Sequence, residues 1–397
     1  MKKLSAGPPS WRRTVIVTVA LPLVISLAVM AYAWPASRIA PRDLPVGVVG
    51  TSTAGQKAVE GLAHSKPGGF DFHLYPTQAS ARSAIKNREI YGAFVVTAGH
   101  VTVLEATAAS TTVAQLLTAT GQQLAAHAAK LPAKTATPPV GTSHRSTVGK
   151  SLAKPAPKVG FRTVDVVPTA ADDPRGVVFN SALLPLTICS ILIAALIATS
   201  GAQMSVWRRL VDLFAACAAT SLAAYLVAEG LLGALPHEHV ATWGALSLTM
   251  LAISATSVGL ITLIGPAGIG LSAALMVFVG NPFSGITSAP ELLPKAVGDI
   301  GQWLPPGAGA NLLRSTAYFH GAGSAGHIAV LVLWSTLGLA AVTFGRRDSA
   351  VANKGLAEDL ADDDRSADSP AGNGTPAALP STLANRPHSH ARHPAHE

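Results

Sequence analysis

Apolar residues fall in runs that divide this chain unevenly. One run, Thr14 to Trp34, stands behind a basic N-terminal segment, about 140 mostly polar residues follow, and five more runs crowd Val177 to Phe344. A hydrocarbon core of roughly 30 Å takes about 20 apolar residues in a helix. The pattern therefore predicts spans at Thr14–Trp34 and at about Val177–Ser200, Leu210–Leu235, Trp243–Ile264, Gly265–Gly280 and His327–Phe344. Trp11 and Trp34 bracket the first run as interfacial aromatics do. Ala31-Tyr32-Ala33 loosely matches a signal-peptide cleavage site, but a run of about 19 residues exceeds the 7–15 of a signal peptide. It reads as a retained anchor.

From Pro35 to Arg175 the pattern changes to that of a soluble domain. Leu44–Gly50 (LPVGVVG) is a short apolar strand, Gly55–His64 is helix-like, and Phe70–Tyr75 (FDFHLY) alternates. Thr77–Glu89 is an amphipathic helix. Ile90–Thr97 and His100–Ala106 form a hairpin across Ala98-Gly99. A helix over about Ser110–Leu131, a linker rich in Pro, Lys, Thr and Ser at 132–160, and a returning strand at Val164–Val167 complete a small α/β domain. Asn281–Gly326 is apolar but broken by Pro282, Pro290, Pro294, Pro305 and Pro306, which predicts re-entrant or interfacial helices held against the bundle.

Charge orients the spans. Lys and Arg collect at their ends (Lys2/Lys3, Arg12/Arg13, Arg208/Arg209, Arg346/Arg347), and such residues favour the cytoplasmic side. Six spans with both termini inside satisfy that bias and place the large insert outside. The expected fold is an α-helical polytopic membrane protein of six transmembrane helices with an inserted small α/β extracytoplasmic domain, in the plasma membrane. Its parts are a cytoplasmic segment 1–13, the first helix 14–34, the α/β domain 35–175, a five-helix bundle 176–346 with the hairpin 281–326, and a disordered cytoplasmic tail 347–397.

Composition agrees, at 49% hydrophobic and 13% charged with a mean hydropathy of +0.38; ordinary soluble domains are about 25% charged. The net charge of +8 lies at span ends and in the polar segment without interleaved aromatics, which argues against nucleic acid. Cys189 and Cys217 fall inside predicted spans, cannot build a disulfide framework or zinc site, and are expected as buried small apolar residues.

Candidate chemistry is sparse. Gly50–Lys57 (GTSTAGQK) follows a strand and precedes a helix like a phosphate loop, but Gln56 stands where the lysine belongs and Lys57 where the hydroxyl belongs. It reads as a turn. His388, His390, His393 and His396 lie in the tail with no carboxylate or cysteine cage, and Asp362–Asp364 is a solvated run. Glu229 is the one carboxylate deep in a span, either lining a polar cavity or reaching water near Pro236–His239. Asp212 reads as an interfacial partner of Arg208/Arg209. No nucleophile–base pair, paired carboxylates or HExxH occurs, so no enzyme, cofactor or metal centre is expected. Gly, Ala, Ser and Thr pervade the bundle and permit close helix approach.

Three segments resemble the ABC-2-type permease family, in its branch with a large outside domain after the first span. Asp43–Gly50 (DLPVGVVG) looks like the opening strand of that domain, and Ser80–Val96 (SARSAIKNREIYGAFVV) like its following helix, turn and strand. Asn281–Tyr318, with Leu293-Pro294, Trp303–Pro306 (WLPP) and Asn311–Arg314 (NLLR), looks like the family's outer hairpin. The resemblance implies an exporter permease, homodimeric or heterodimeric within membrane lipid and driven by a separate cytoplasmic ATPase. It also implies an ATPase-coupling loop at Gly201–Arg209, with Gln203, Trp207, Arg208 and Arg209, and an outer gate bearing Pro294, Trp303, Pro305, Pro306 and Arg314. Two other readings stand beside it: a non-transporting membrane-anchored envelope or interaction protein, and a proton-coupled carrier resting on Glu229.

Overall fold

The computed structural model describes residues 11–49, 60–61, 63–64, 66–97, 100–130, 160–200 and 205–345. The tail histidines and Asp362–Asp364, all of Gly50–Lys57, the 132–160 linker up to residue 159, Ala98-Gly99, Gln203 and Arg346/Arg347 lie outside the described residues, as do the side chains of Arg12 and Arg13.

The first described element is α1 (Trp11–Ser37), whose side chains from Thr18 onward are exposed nearly all round and whose Tyr32 hydroxyl donates to the Val277 carbonyl at 2.8 Å. A five-stranded sheet follows, built from β1 (Leu44–Val49), β2 (Phe70–Tyr75), β3 (Gly92–Thr97), β4 (His100–Glu105) and β5 (Gly160–Asp165) in the order β2-β1-β3-β4-β5. β1 runs parallel to both β2 and β3, β3 and β4 form the expected antiparallel hairpin, and β4 runs parallel to β5. The last strand begins four residues earlier than the sequence pattern placed it.

Alternation along the strands dictates two faces. α2 (Gln78–Lys86) sets Ala81, Ala84 and Ile85 against Val49, Ala93 and Leu104. α3 (Thr111–Lys130) sets Val113 and Leu117 against Leu44, Val46, Phe94 and Val103. Each large side chain so buried contributes about 1.5–3 kcal/mol. α2 starts in a capping box, with the Thr77 hydroxyl accepting from the Ser80 amide at 3.1 Å and the Ser80 hydroxyl from the Thr77 amide at 3.3 Å.

The bundle comprises α4 (Val177–Ser200), α5 (Val206–Tyr225, continued by a π-helical turn over Leu226–Leu231), α6 (His239–Ile264), α7 (Ala267–Phe283, π-helical over Ala274–Gly280), α8 (Lys295–Trp303), α9 (Pro305–Tyr318) and α10 (Ala325–Gly345). The buried Asp173 carboxylate accepts from the Val177 and Val178 amides at 2.7 and 2.9 Å and so closes the open end of α4. Among the described residues, five helices (α1, α4, α5, α6 and α10) are long and apolar enough to cross a membrane, which marks a multi-pass membrane protein. The expected fifth span is the exception: α7 is shorter than those five, because Gly265 at φ 70° and Pro266 fold it back directly onto α6.

α6 is the hub, buried on every side from Ala245 through Gly259 except at a few positions, and packed by α4, α5, α7 and α9. Polar groups tie its neighbours to it. The Ser254 hydroxyl donates to the Ser190 carbonyl at 2.8 Å, and the Trp243 indole to the Ala218 carbonyl at 3.2 Å. α10 approaches α6 at Gly338, where a Cβ would strike the Ala255 and Thr256 backbone. Cys217 packs as a buried small residue as expected; Cys189 does not, being exposed on the outer side of α4. Because that crossing admits no Cβ, Gly338→Leu is expected to separate α10 from α6, seen as loss of a monodisperse peak in detergent gel filtration, whereas Cys189→Ser leaves the peak unchanged.

Candidate functional site

Where α2 ends, the chain breaks a local rule. Asn87 and Glu89 close the helix with amide bonds to the Ser83 and Ala84 carbonyls at 2.9 Å, a termination that normally places glycine in the left-handed position between them. Here that position holds Arg88 at φ 61°, at a backbone cost of about 1–2 kcal/mol. Its side chain explains the exception. The guanidinium donates to the Asn311 carbonyl at 2.9 Å, to the Asn311 side-chain oxygen at 2.8 Å and to the Ser315 hydroxyl, and its Cζ lies 5.5 Å from the Phe319 ring centre. Hydrogen bonds from a charged group contribute about 1.5–3 kcal/mol each, so the contact outweighs the strain.

Arg88 is thus the bolt between the α/β domain and the Pro-broken hairpin. Two further contacts flank it. The Tyr91 hydroxyl donates to the Glu291 carboxylate at 2.7 Å, and Arg42 donates to the Leu292 carbonyl at 2.7 Å while its amide bonds the Glu291 carbonyl at 3.0 Å. Ala289 and Leu292 of the hairpin enter the apolar core on the α3 face of the sheet. Burial, and then the Glu291 carboxylate, hold the Tyr91 phenol well above its usual range. Burial also lowers the Arg88 guanidinium, with Tyr91 and Glu291 opposing.

Between these contacts lies a half-open cavity of about 370 Å³, of the size that holds small ligands. Arg42, Asp43, Arg88, Glu291, Lys295 and Asp299 line it, so both signs of charge face the space. No group of three or more His, Cys, Asp and Glu able to hold a metal occurs among the described residues.

The expected site residues fall into three places. In the hairpin, Pro294 precedes α8, and Pro305 and Pro306 occupy the first turn of α9, where a missing N–H costs nothing. All of α9 is buried, Arg314 included at 4% exposure. Trp303 instead points outward at 65% exposure, its carbonyl accepting from the Trp334 indole at 2.7 Å. At the start of α5, Trp207, Arg208 and Arg209 form the first helical turn rather than a loop, with the Ser205 hydroxyl capping the Arg208 amide at 3.3 Å. Trp207 and Arg208 are exposed, whereas Arg209 is buried at 6%.

Glu229 lies in the π-helical turn that ends α5, where its carboxylate accepts from the Leu235 amide at 2.7 Å and holds the chain reversal that follows. The hairpin residues and Glu229 do not converge on one point. Arg88, Tyr91, Glu291 and Asn311 do, and sequence reasoning missed all four. The usable signal was a helix ending at Asn87-Arg88 with no glycine to terminate it.

Arg88→Ala is expected to lower stability by about 2–4 kcal/mol by removing charged hydrogen bonds to groups that stay buried, measured by thermal unfolding in detergent. Tyr91 carries a pH signature. A raised phenol stabilises the folded state fully below about pH 10, where the unfolded side chain titrates, and that stabilisation is lost as pH rises through the folded value. Tyr91→Phe should therefore flatten the alkaline limb of a stability–pH curve and cost about 1 kcal/mol at neutral pH.

The chain matches no known protein-family model, no curated protein and no solved structure.

Proposed function

We propose that this chain is the transmembrane permease subunit of an ABC-type exporter, powered by a separate cytoplasmic ATPase. On this reading α7 serves as a shortened fifth crossing, the hairpin 281–326 is the outer gate, and both termini face the cytoplasm. The α/β domain then stands outside the membrane. The observation that carries the proposal is the seating of the hairpin, with α9 against the hub helix α6 on one side and the Arg88 bolt on the other. A gate needs both attachments, because a rearrangement of α6 then reaches the outer domain through packed side chains.

Two other observations support it. Trp207, at 75% exposure beside the exposed Arg208, presents an aromatic and a cation on the end of the bundle opposite the sheet domain in the six-span topology, the composition of a docking point. Glu229 is engaged with the Leu235 amide, as expected of a structural group rather than a proton relay. The subunit is read as working in a dimer, within membrane lipid.

The test is to purify the full chain from its own membranes and identify its stoichiometric partner. An ATPase is expected. Replacing Trp207 by Ala and Arg208 by Glu should cut the recovered ATPase by about tenfold or more, the loss of roughly 1.4 kcal/mol, without lowering the melting temperature. Recovery of the chain with no ATPase would replace the exporter reading with that of a membrane-anchored interaction protein.

A further inference from the structure

Arg314 is a buried cation with no counter-ion in contact. Its Nη2 donates to the Ile286 carbonyl at 2.9 Å and its Cζ lies 5.0 Å from the Phe179 ring centre, but its Nε has no hydrogen-bond partner. Arg88, held by Asn311 and Ser315 on the same face of α9, adds a second positive charge that rests on neutral oxygens and an aromatic ring. Among the described residues neither guanidinium has a carboxylate within 4.0 Å. Burying charge is costly unless an opposite charge or a metal answers it.

Arg314 also lines a second, small cavity of about 20 Å³ where four parts of the chain meet. Ser110 and Thr111 come from the start of α3, Asn180 from α4, and Ser288 from the hairpin turn. The residues lining it include no Asp, Glu or Lys. The Ser110 hydroxyl oxygen accepts from the Val113 backbone amide at 3.1 Å, which leaves its proton to donate, and the Asn180 side-chain amide has no hydrogen-bond partner among the described residues. The Thr107, Thr169, Ser288 and Tyr318 hydroxyls donate elsewhere, which leaves Ser110, Thr111 and the Asn180 side chain among the neutral donors beside one cation, a set that suits an anion. A space of this size takes one water-sized body, so a halide fits, while phosphate, sulfate and carboxylates do not.

We propose that this cavity is a halide site, occupied by chloride, which neutralises Arg314 and ties the α/β domain, α4 and the hairpin together. A water molecule fits the space equally well but brings no charge into contact with Arg314, which otherwise feels only the Glu291 carboxylate from beyond 4.0 Å, and that difference makes the proposal testable.

Thermal unfolding of the full chain in detergent is measured in sodium chloride, sodium bromide and sodium gluconate at equal ionic strength, which holds general screening constant. The melting temperature should be about 2–4 °C higher in both halides and saturate with halide concentration. Excluded-solute effects would favour the larger gluconate, in the opposite direction. Asn180→Asp places a carboxylate at the cavity wall. It should raise the melting temperature in gluconate to the wild-type value in chloride and abolish the halide dependence. Crystals grown in bromide should show an anomalous peak within hydrogen-bonding reach of Arg314. Equal melting temperatures in all three salts would mean bound water only and overturn the proposal. So would a halide dependence that survives Asn180→Asp, or a bromide-grown crystal with no peak at Arg314.

Discussion

Joining a water-facing α/β domain to a membrane bundle requires that the backbone groups of the joint be paired, because the hairpin that lies between them is neither a strand nor a continuous helix. The Arg88 guanidinium meets that constraint. It sits at a helix end where its backbone is strained, and it reaches into α9 to hold one main-chain oxygen and two side-chain oxygens at once. Without it, Asn311 and Ser315 would face a crevice with their acceptors open, and burying unpaired polar groups costs about 1–3 kcal/mol each. Tyr91, Arg42 and the apolar pair Ala289 and Leu292 complete the joint. Its charge also sets a problem, since a second cation, Arg314, lies buried on the same helix.

The same accounting governs the bundle. Where a helix departs from α geometry, a polar side chain takes up the freed backbone group. Glu229 does so for Leu235 after the π turn of α5, and in the π turn of α7 the Asn281 side-chain amide adds a bond of 3.1 Å to the Met276 carbonyl, which also accepts the Asn281 backbone N–H. Each pairing keeps irregular backbone tolerable at membrane depth. α6 is flanked by packed helices, and α10 and α9 approach it so closely at Gly338 and Gly309 that a Cβ there would strike the Ala255 and Thr256 backbone and the Thr249 side chain.

Much of this was legible in the order of residues. Long apolar runs carry their own evidence, so α1, α4, α5, α6 and α10 stand within a few residues of their expected places, and two short strand-like runs on either side of Ala98-Gly99 gave away the β3–β4 hairpin. The Pro-rich segment was correctly expected to be broken and held against the bundle. The fifth run, bounded in the sequence at Gly265–Gly280, stands as α7 over Ala267–Phe283 and is too short to count among the five long apolar helices. The illegible parts share a cause. Cys189 was misjudged because which side of a helix faces its neighbours depends on packing that an evenly apolar helix such as α4 does not encode. Arg88 and Asn311 lie more than two hundred residues apart, and nothing in the segments that hold them says that the two side chains meet.

A double-mutant cycle on the joint tests its existence most directly. Arg88→Met, Asn311→Leu and the pair are compared by unfolding in detergent. If Arg88 bolts the α/β domain to the hairpin, the two changes are coupled by about 1 kcal/mol or more, as residues in one hydrogen-bond network are. Effects that simply add, within about 0.3–0.5 kcal/mol, would mean the two residues do not meet, and the α/β domain would not be fastened to the hairpin in the way described.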